Sequence, residues 1–458
     1  MAPGPTPPGR ELPSRVLPVV DASGSGGLRP QVGIARSTDR RIAFGGLILA
    51  ATWIGAAAAA LLLPPASRLG SWLPLHMVLA GGATTAIAAI LPFFSAALVA
   101  APPARPMIRI AGIALVSGGA LVVMIVFSQA CDDAFLAALG GGSFLAGLGL
   151  VAGAAFGPLK GSLGQRRRLV ERAYAVALVN VAVGVTLAVL LIGGNGTVGA
   201  AWGSLKPAHA WLNLVGFVGL VIVATLLHLA PTVLGTRIRP LLAGRVAVVG
   251  IGIGAPLVAA GLALRVDPIG RAGALVAMTG AIGVAWHGIA VRRDGQRGRW
   301  TTDNGWHLFT GGSILAGHLW LGLGVAVAAG RVLAIGAGPE SWSVTVLAGP
   351  FLIGGVLQIL LGAITHLLPA VGPGDPTRHA AQRRLLGRLA LARLVTANAG
   401  AAIVTLGFGP AAWIGGERGG GDVVAIGLAA TVVGITLSLA LLGTAARAAP
   451  RLALSPRG

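Results

Sequence analysis

The sequence has little of what most protein chemistry needs. Its 458 residues include one cysteine, Cys131, one tyrosine, Tyr174, two lysines, Lys160 and Lys206, and 13 acidic side chains. A single cysteine excludes an internal disulfide and any thiolate cluster. Carboxylates are equally limiting: no Asp or Glu falls inside any of the apolar segments set out below, so the acidic proton relay common in pumps is absent. No glycine run has the pattern of a phosphate-binding loop. Gly140-Gly141-Gly142 and Gly311-Gly312 read instead as packing or hinge positions. Residues 1–41 lack the charged-then-apolar layout of a cleavable signal peptide. Rich in Pro, Gly and Arg, they read as a disordered arm that cannot bury a core.

What remains is largely hydrocarbon. Hydrophobic residues make up 55% of the chain, charged ones 10%, and the mean hydropathy is +0.85, which is the profile of a polytopic membrane protein whose main partner is the lipid bilayer. The 73 glycines fit, because small residues let membrane helices approach closely. Apolar segments of roughly 20 residues, the length that crosses the hydrocarbon, fall at 42–63, 72–99, 107–128, 134–156, 173–192, 208–230, 246–264, 272–291, 307–329, 344–368, 389–414 and 423–442. The expected fold is all-α, with twelve transmembrane helices in a membrane domain at 42–446. An arm at 1–41 precedes it and a tail at 447–458 follows.

A net charge of +21 would ordinarily suggest nucleic acid. Here the charges sort by loop instead. With the arm inside, 28 of the 34 basic residues fall on one side, among them Arg109, Arg166, Arg167, Arg168, Arg383, Arg384 and Arg393. Only Arg68, Lys206, Arg265, Arg271, Arg331 and Arg418 fall on the other. Positive residues favour the cytoplasmic side, so both termini are placed there, and no nucleic-acid partner is expected. The basic runs act as topology determinants and can also attract anionic lipid. Trp72, Trp202, Trp211 and Trp342, near the outer ends, fit an interfacial belt. The Arg-, Ala- and Gly-heavy composition matches high-GC bacterial coding, which places the chain in a bacterial inner (plasma) membrane.

One phrase recurs. The segment from His209 to Pro231 opens Trp211-Leu212-x-Leu214, and the segment before Pro92 opens Trp72-Leu73-x-Leu75. Its ending, His228-Leu-Ala-Pro231, returns as His366-Leu-Leu-Pro369. The three prolines are 139 and 138 residues apart, four spans each time, which suggests three related four-helix units.

Twelve spans in three quartets, with the second helix of each related, resembles subunit I of the haem-copper oxidase superfamily, in which helices 2, 6 and 10 stand at the centres of three arcs. The phrase HAWLNLVGFVGL is also similar to the sixth helix of divergent actinobacterial relatives, some of them the membrane part of copper oxidase or nitrite reductase proteins. The resemblance implies a pseudo-threefold bundle. His76 would stand in the place of a low-spin haem ligand and His209 in that of a copper ligand. Other ligands of that family are missing: the first half of 344–368 and all of 246–264 contain no histidine, and Asn213, not tyrosine, lies four residues after His209. Proton-pumping oxygen reduction is therefore not expected.

The histidines allow a different site. His228 and His366, each three residues before a repeat-equivalent proline, should reach one depth on the cytoplasmic side, and His287 and His307 fall near the same side. Imidazoles facing one another at one depth can hold haem b, and imidazole also suits copper. His318 lies deeper, eleven residues after His307 and so on the same helix face. His76 and His209 differ in repeat register by six residues, roughly 9 Å of rise. Against each metal role stands a structural one. A histidine near a helix C-terminus can bond free carbonyls (His228, His366), sit at the interface (His287, His307) or hydrogen-bond between helices (His76). His379, in an Arg-rich loop, reads as solvated. Asn180, Asn213, Gln358 and Asn398 read as amides that bond from helix to helix.

Two functional classes follow. One is an oxidase-like electron-transfer protein holding haem b or copper and working beside a copper-protein or cytochrome redox partner. The other is a carrier or scaffold with the same architecture and no cofactor. The residues leave open whether the chain is an enzyme.

Overall fold

A computed structural model describes residues 29–64, 66–98, 101–128, 133–159, 168–192, 194, 197–295, 303–371 and 375–447. The arm up to residue 28, the tail from 448, Cys131, Lys160, Arg166 and Arg167 lie outside the described residues. Within them the regular structure is entirely helical. Twelve helices are long and apolar enough to cross a bilayer, and the chain is a multi-pass membrane protein. We number them α1 (Thr38–Ala60), α2 (Trp72–Ala97), α3 (Pro106–Ser128), α4 (Ala134–Phe156), α5 (Arg168–Ile192), α6 (Trp202–Val233), α7 (Leu242–Leu264), α8 (Asp267–Gly295), α9 (Asn304–Ile335), α10 (Pro339–Pro369), α11 (Ala390–Phe408) and α12 (Gly420–Arg447). A short polar helix, Pro376–Leu386, joins α10 to α11.

Local signals explain several of these boundaries. Asp133 caps α4, its carboxylate accepting from the backbone N–H groups of Phe135 and Leu136 at 2.9 and 3.0 Å. Asp375 caps the polar helix in the same way, with Pro376 in the first turn where no N–H is needed. At the end of α7, Arg265 takes a left-handed conformation, φ 57°, and turns the chain straight into α8. The helix that contains α1 begins earlier than hydropathy indicates, at Arg29. Asp39, in its polar part, is tied to Arg109 of α3 by a 2.6 Å ion pair. The first membrane helix thus carries a carboxylate three residues before the apolar segment read from the sequence at 42–63.

Packing follows glycine. The most closely packed neighbours are the hairpins α3–α4, α7–α8 and α11–α12. In the first, a Cβ on Gly119 would stand 2.5 Å from the amide nitrogen of Phe144. In the second, one on Gly250 would stand 2.5 Å from Cα of Gly280, and in the third, one on Gly427 would stand 2.8 Å from the nitrogen of Val404. Backbones this close gain dispersion where no hydrophobic effect operates between helices.

Three segments wind wider than an α-helix: Met77–Ala83 in α2, Trp211–Gly219 in α6 and Ala348–Leu357 in α10. Among the described residues no other π-helix occurs. Each carries a glycine onto which the preceding helix lays a flat side chain: Trp53 of α1 on Gly81, Asn180 of α5 on Gly216, and Trp320 of α9 on Gly354. Trp53 then donates to Ser117 of α3 at 2.8 Å, and Trp320 to Asn398 of α11 at 2.8 Å. Helix α6 is the most enclosed, with 72% of its most apolar window buried, against 28% for α1, α5, α11 and α12, so it is the core and they are rim.

Candidate functional site

A cavity of about 220 Å³ lies between the Pro-bearing halves of α2, α6 and α10, with α1 closing one side. Its wall is Ala, Leu, Ile, Val and Phe, including Phe94, Leu229 and Leu367, and its only polar members are Arg40, Tyr174 and Thr225. The two hydroxyls are consumed by the protein. Tyr174 donates to Thr225 Oγ1 at 2.9 Å, and Thr225 donates to the carbonyl of Val221 at 2.7 Å. Arg40 is exposed. The depth of the cavity therefore offers a guest apolar surface and no hydrogen-bonding group.

No histidine lines this space. The ring of His228 meets Phe94 edge-on at 6.4 Å, while His366 stacks flat on Trp306 at 5.0 Å. His307 approaches the same indole at 4.7 Å, so Trp306 stands against both rings, and its N–H donates to the carbonyl of Thr365 at 2.9 Å. At the opposite end, His76 stacks on Trp72 and donates through Nδ1 to the Trp72 carbonyl at 2.7 Å. His209 donates through Nδ1 to the carbonyl of Gly184, also at 2.7 Å.

Two histidines do meet. His318 Nδ1 lies 2.7 Å from the carbonyl of Ile314, which fixes the proton there and leaves Nε2 as an acceptor. His287 Nδ1 donates to that Nε2 at 3.3 Å, the rings stacked 5.4 Å apart and both buried. Gly288 makes the room, since a Cβ there would lie 2.7 Å from His318. Sequence spacing paired His318 with His307 by face. The bundle pairs it with His287 across α8 and α9, and gives His307 to Trp306. His379 sits in the polar helix between α10 and α11.

These positions bear on the haem and copper sites that the histidine pattern suggested. A haem held between His228 and His366 needs both rings presented to a haem-sized space, yet each is packed on an aromatic ring and neither borders the cavity. A copper centre of the usual three or more ligands has no matching group of His, Cys, Asp or Glu among the described residues. Neither the His228–His366 pair nor any group of three or more ligands among the described residues frames such a site.

The amides and arginines depart further from the sequence reading. Asn180 bonds the carbonyl of Gly216 on α6 at 2.8 Å, and Asn398 receives Trp320, so both bridge helices as expected. Asn213 bonds within its own helix, to the carbonyl of His209 at 2.8 Å. Gln358 bonds nothing: its amide N and O are both buried without a partner. Arg109 and Arg393, counted above among loop charges, are buried to 1% exposure. Hydropathy registers a charge near a span end without showing where its side chain turns.

Fold and cavity together define a multi-pass α-helical membrane protein with an apolar interior chamber. In comparisons with known proteins, no family model and no curated protein sequence matches the chain.

Proposed function

We propose that the twelve helices form three related quartets, α1–α4, α5–α8 and α9–α12, and that the protein holds an amphipathic, hydrocarbon-bodied membrane molecule between the second helices of the three. This is the carrier or scaffold class on an oxidase-like architecture. Three observations support the quartets: each second helix carries the π-helical stretch, each first helix lays a flat side chain on it, and each third and fourth helix form a glycine-packed hairpin. The observation that carries the function is the chamber at their junction, apolar throughout its depth, with a cation only at Arg40. Such a chamber selects a hydrocarbon body and leaves a polar or anionic head near Arg40. By the charge asymmetry of the loops, that rim faces the cytoplasm of a bacterial cell.

The test is mass spectrometry of lipids extracted from the purified protein, and from Ala363→Trp, which places an indole in the chamber. A lipid that is stoichiometric in the first and lost in the second supports the assignment. Equal lipid content in both refutes it.

A second reading, electron transfer with haem b or copper and a copper-protein or cytochrome partner, draws on the buried His287–His318 pair, since intramembrane imidazoles are costly and commonly functional. Its test is a visible absorption band that shifts on reduction, with metal analysis of the same sample. A colourless, metal-free preparation ends that reading.

A further inference from the structure

The structure contains a second, much smaller cavity, bounded by α9, α10, α11 and α12, with room for about one water-sized particle, roughly 10 Å³. Its wall is largely apolar, but polar side chains reach it. Arg393, Gln358 and Ser313 all face it, each at most 2% exposed. Four of their polar atoms are buried with no partner: Arg393 Nη2, Gln358 Nε2 and Oε1, and Ser313 Oγ. Buried polar groups are nearly always satisfied, so four orphans around one cavity describe a missing guest rather than four independent lapses.

The guest's charge follows from Arg393. A guanidinium keeps its proton in proteins, so a full positive charge is held inside the bundle. Its other contacts are neutral. Nε donates to Ser438 Oγ at 3.0 Å, Nη1 donates to the carbonyl of Leu386 at 2.8 Å, and the group lies 3.5 Å over the ring of Phe309. Among the described residues no carboxylate lies within ion-pair distance. The contrast is with Arg109, equally buried, to which the chain supplies Asp39. A charge at this depth is costly until a counter-charge reaches it.

We propose that Arg393, Gln358 and Ser313 bind a single halide-sized anion, chloride being the abundant candidate, inside the membrane domain. Arg393 Nη2 supplies the charge-assisted hydrogen bonds, and the Gln358 amide and Ser313 hydroxyl complete the shell. Unlike the hydroxyls of the wall, Gln358 Oε1 has no proton to offer, and it turns away from the anion. The site is separate from the large chamber and does not depend on what that chamber holds.

The test compares thermal unfolding of the purified full-length protein in sodium chloride and in sodium gluconate at equal ionic strength, for wild type, Gln358→Met and Arg393→Gln. The wild-type midpoint should rise with chloride along a saturable curve, and bromide should substitute. Gln358→Met removes two orphan atoms and should be no less stable in gluconate, but its half-saturating chloride concentration should rise about tenfold. Arg393→Gln should lose the chloride response. A wild-type midpoint indifferent to chloride overturns the proposal, and a neutral water then fills the space. So does an unchanged chloride curve in Gln358→Met, which decides the matter even if Arg393→Gln fails to fold.

Discussion

Replacing Asp39 by Asn isolates the energetic role of one carboxylate in a chain that has 13 acidic residues. Asp39 Oδ1 lies 2.6 Å from Arg109 Nη1, with the two side chains 10% and 1% exposed. The substitution keeps shape and an acceptor oxygen but leaves the arginine as an uncompensated charge on a membrane helix. Breaking a buried pair from one side costs about 3–5 kcal/mol. The reverse change, Arg109→Met, should cost less, about 1–3 kcal/mol, because the abandoned carboxylate is the more exposed of the two and can rehydrate. The double variant should recover much of the loss, giving a coupling energy of about 2 kcal/mol in the cycle. Detergent-driven unfolding in mixed micelles, followed by the fluorescence of the ten tryptophans, reads all four proteins. If Asp39→Asn unfolds within about 1 kcal/mol of wild type, the pair is not holding an isolated charge, and the extension of the first helix towards Arg29 loses its anchor.

Other consequences are simpler to check. Gly280→Leu places its Cβ against the backbone of Ile251, 2.7 Å from its nitrogen, and should lower stability by more than about 3 kcal/mol; Gly149→Leu, where a Cβ meets nothing within 4 Å, should stay within about 0.5 kcal/mol in the same unfolding assay. His318→Leu takes the acceptor from His287 and should cost about 1–3 kcal/mol, whereas changing both histidines to leucine should cost less than the single change; a double loss equal to the sum of the two single losses would mean the imidazoles act independently. Since Cys131 is the only thiol, a Cys131→Ser background allows one new cysteine at a time. Arg384→Cys should react with an impermeant thiol reagent only after the cells are opened, and Arg68→Cys in intact cells once the outer envelope is permeable; the opposite pattern would invert the proposed topology.

The number of helices was legible because the bilayer imposes a length and a polarity that composition reports directly. Twelve apolar segments became twelve helices, with boundaries shifted by a few residues where polar side chains such as Asp39 continue the helix. What faces what was much less legible. Helix α9 is apolar almost all the way round, so its sequence does not say which side meets α8 and which meets α10. His307 and His318 share a face as their spacing requires, but three turns of rise put them beside different neighbours, Trp306 and His287. His228 and His366 hold equivalent places before their prolines, yet one lies against Phe94 and the other against Trp306. A repeat predicts depth, not company. Arg109 and Arg393 show the same limit: position near a span end suggested solvent or headgroups, and only tertiary contact turns those side chains inward.

The features that recur and those that do not differ in kind, which bears on the proposed quartets. Backbone features recur: the widened winding in α2, α6 and α10, the glycine beneath a flat side chain, and the closely packed hairpins. The polar side chains around them do not: the group laid on the glycine is an indole in α1 and α9 and an amide in α5, and a buried arginine with an aspartate partner in α3 becomes one without a carboxylate in α11. In a bilayer, helix association rests on close backbone approach, so a repeated unit must keep its glycines to stay assembled while its polar groups are free to change role. On that argument the quartets are a packing scaffold. Chemistry particular to this chain is then to be sought where the units differ most, at the apolar chamber between α2, α6 and α10 and at the unpaired charge of Arg393.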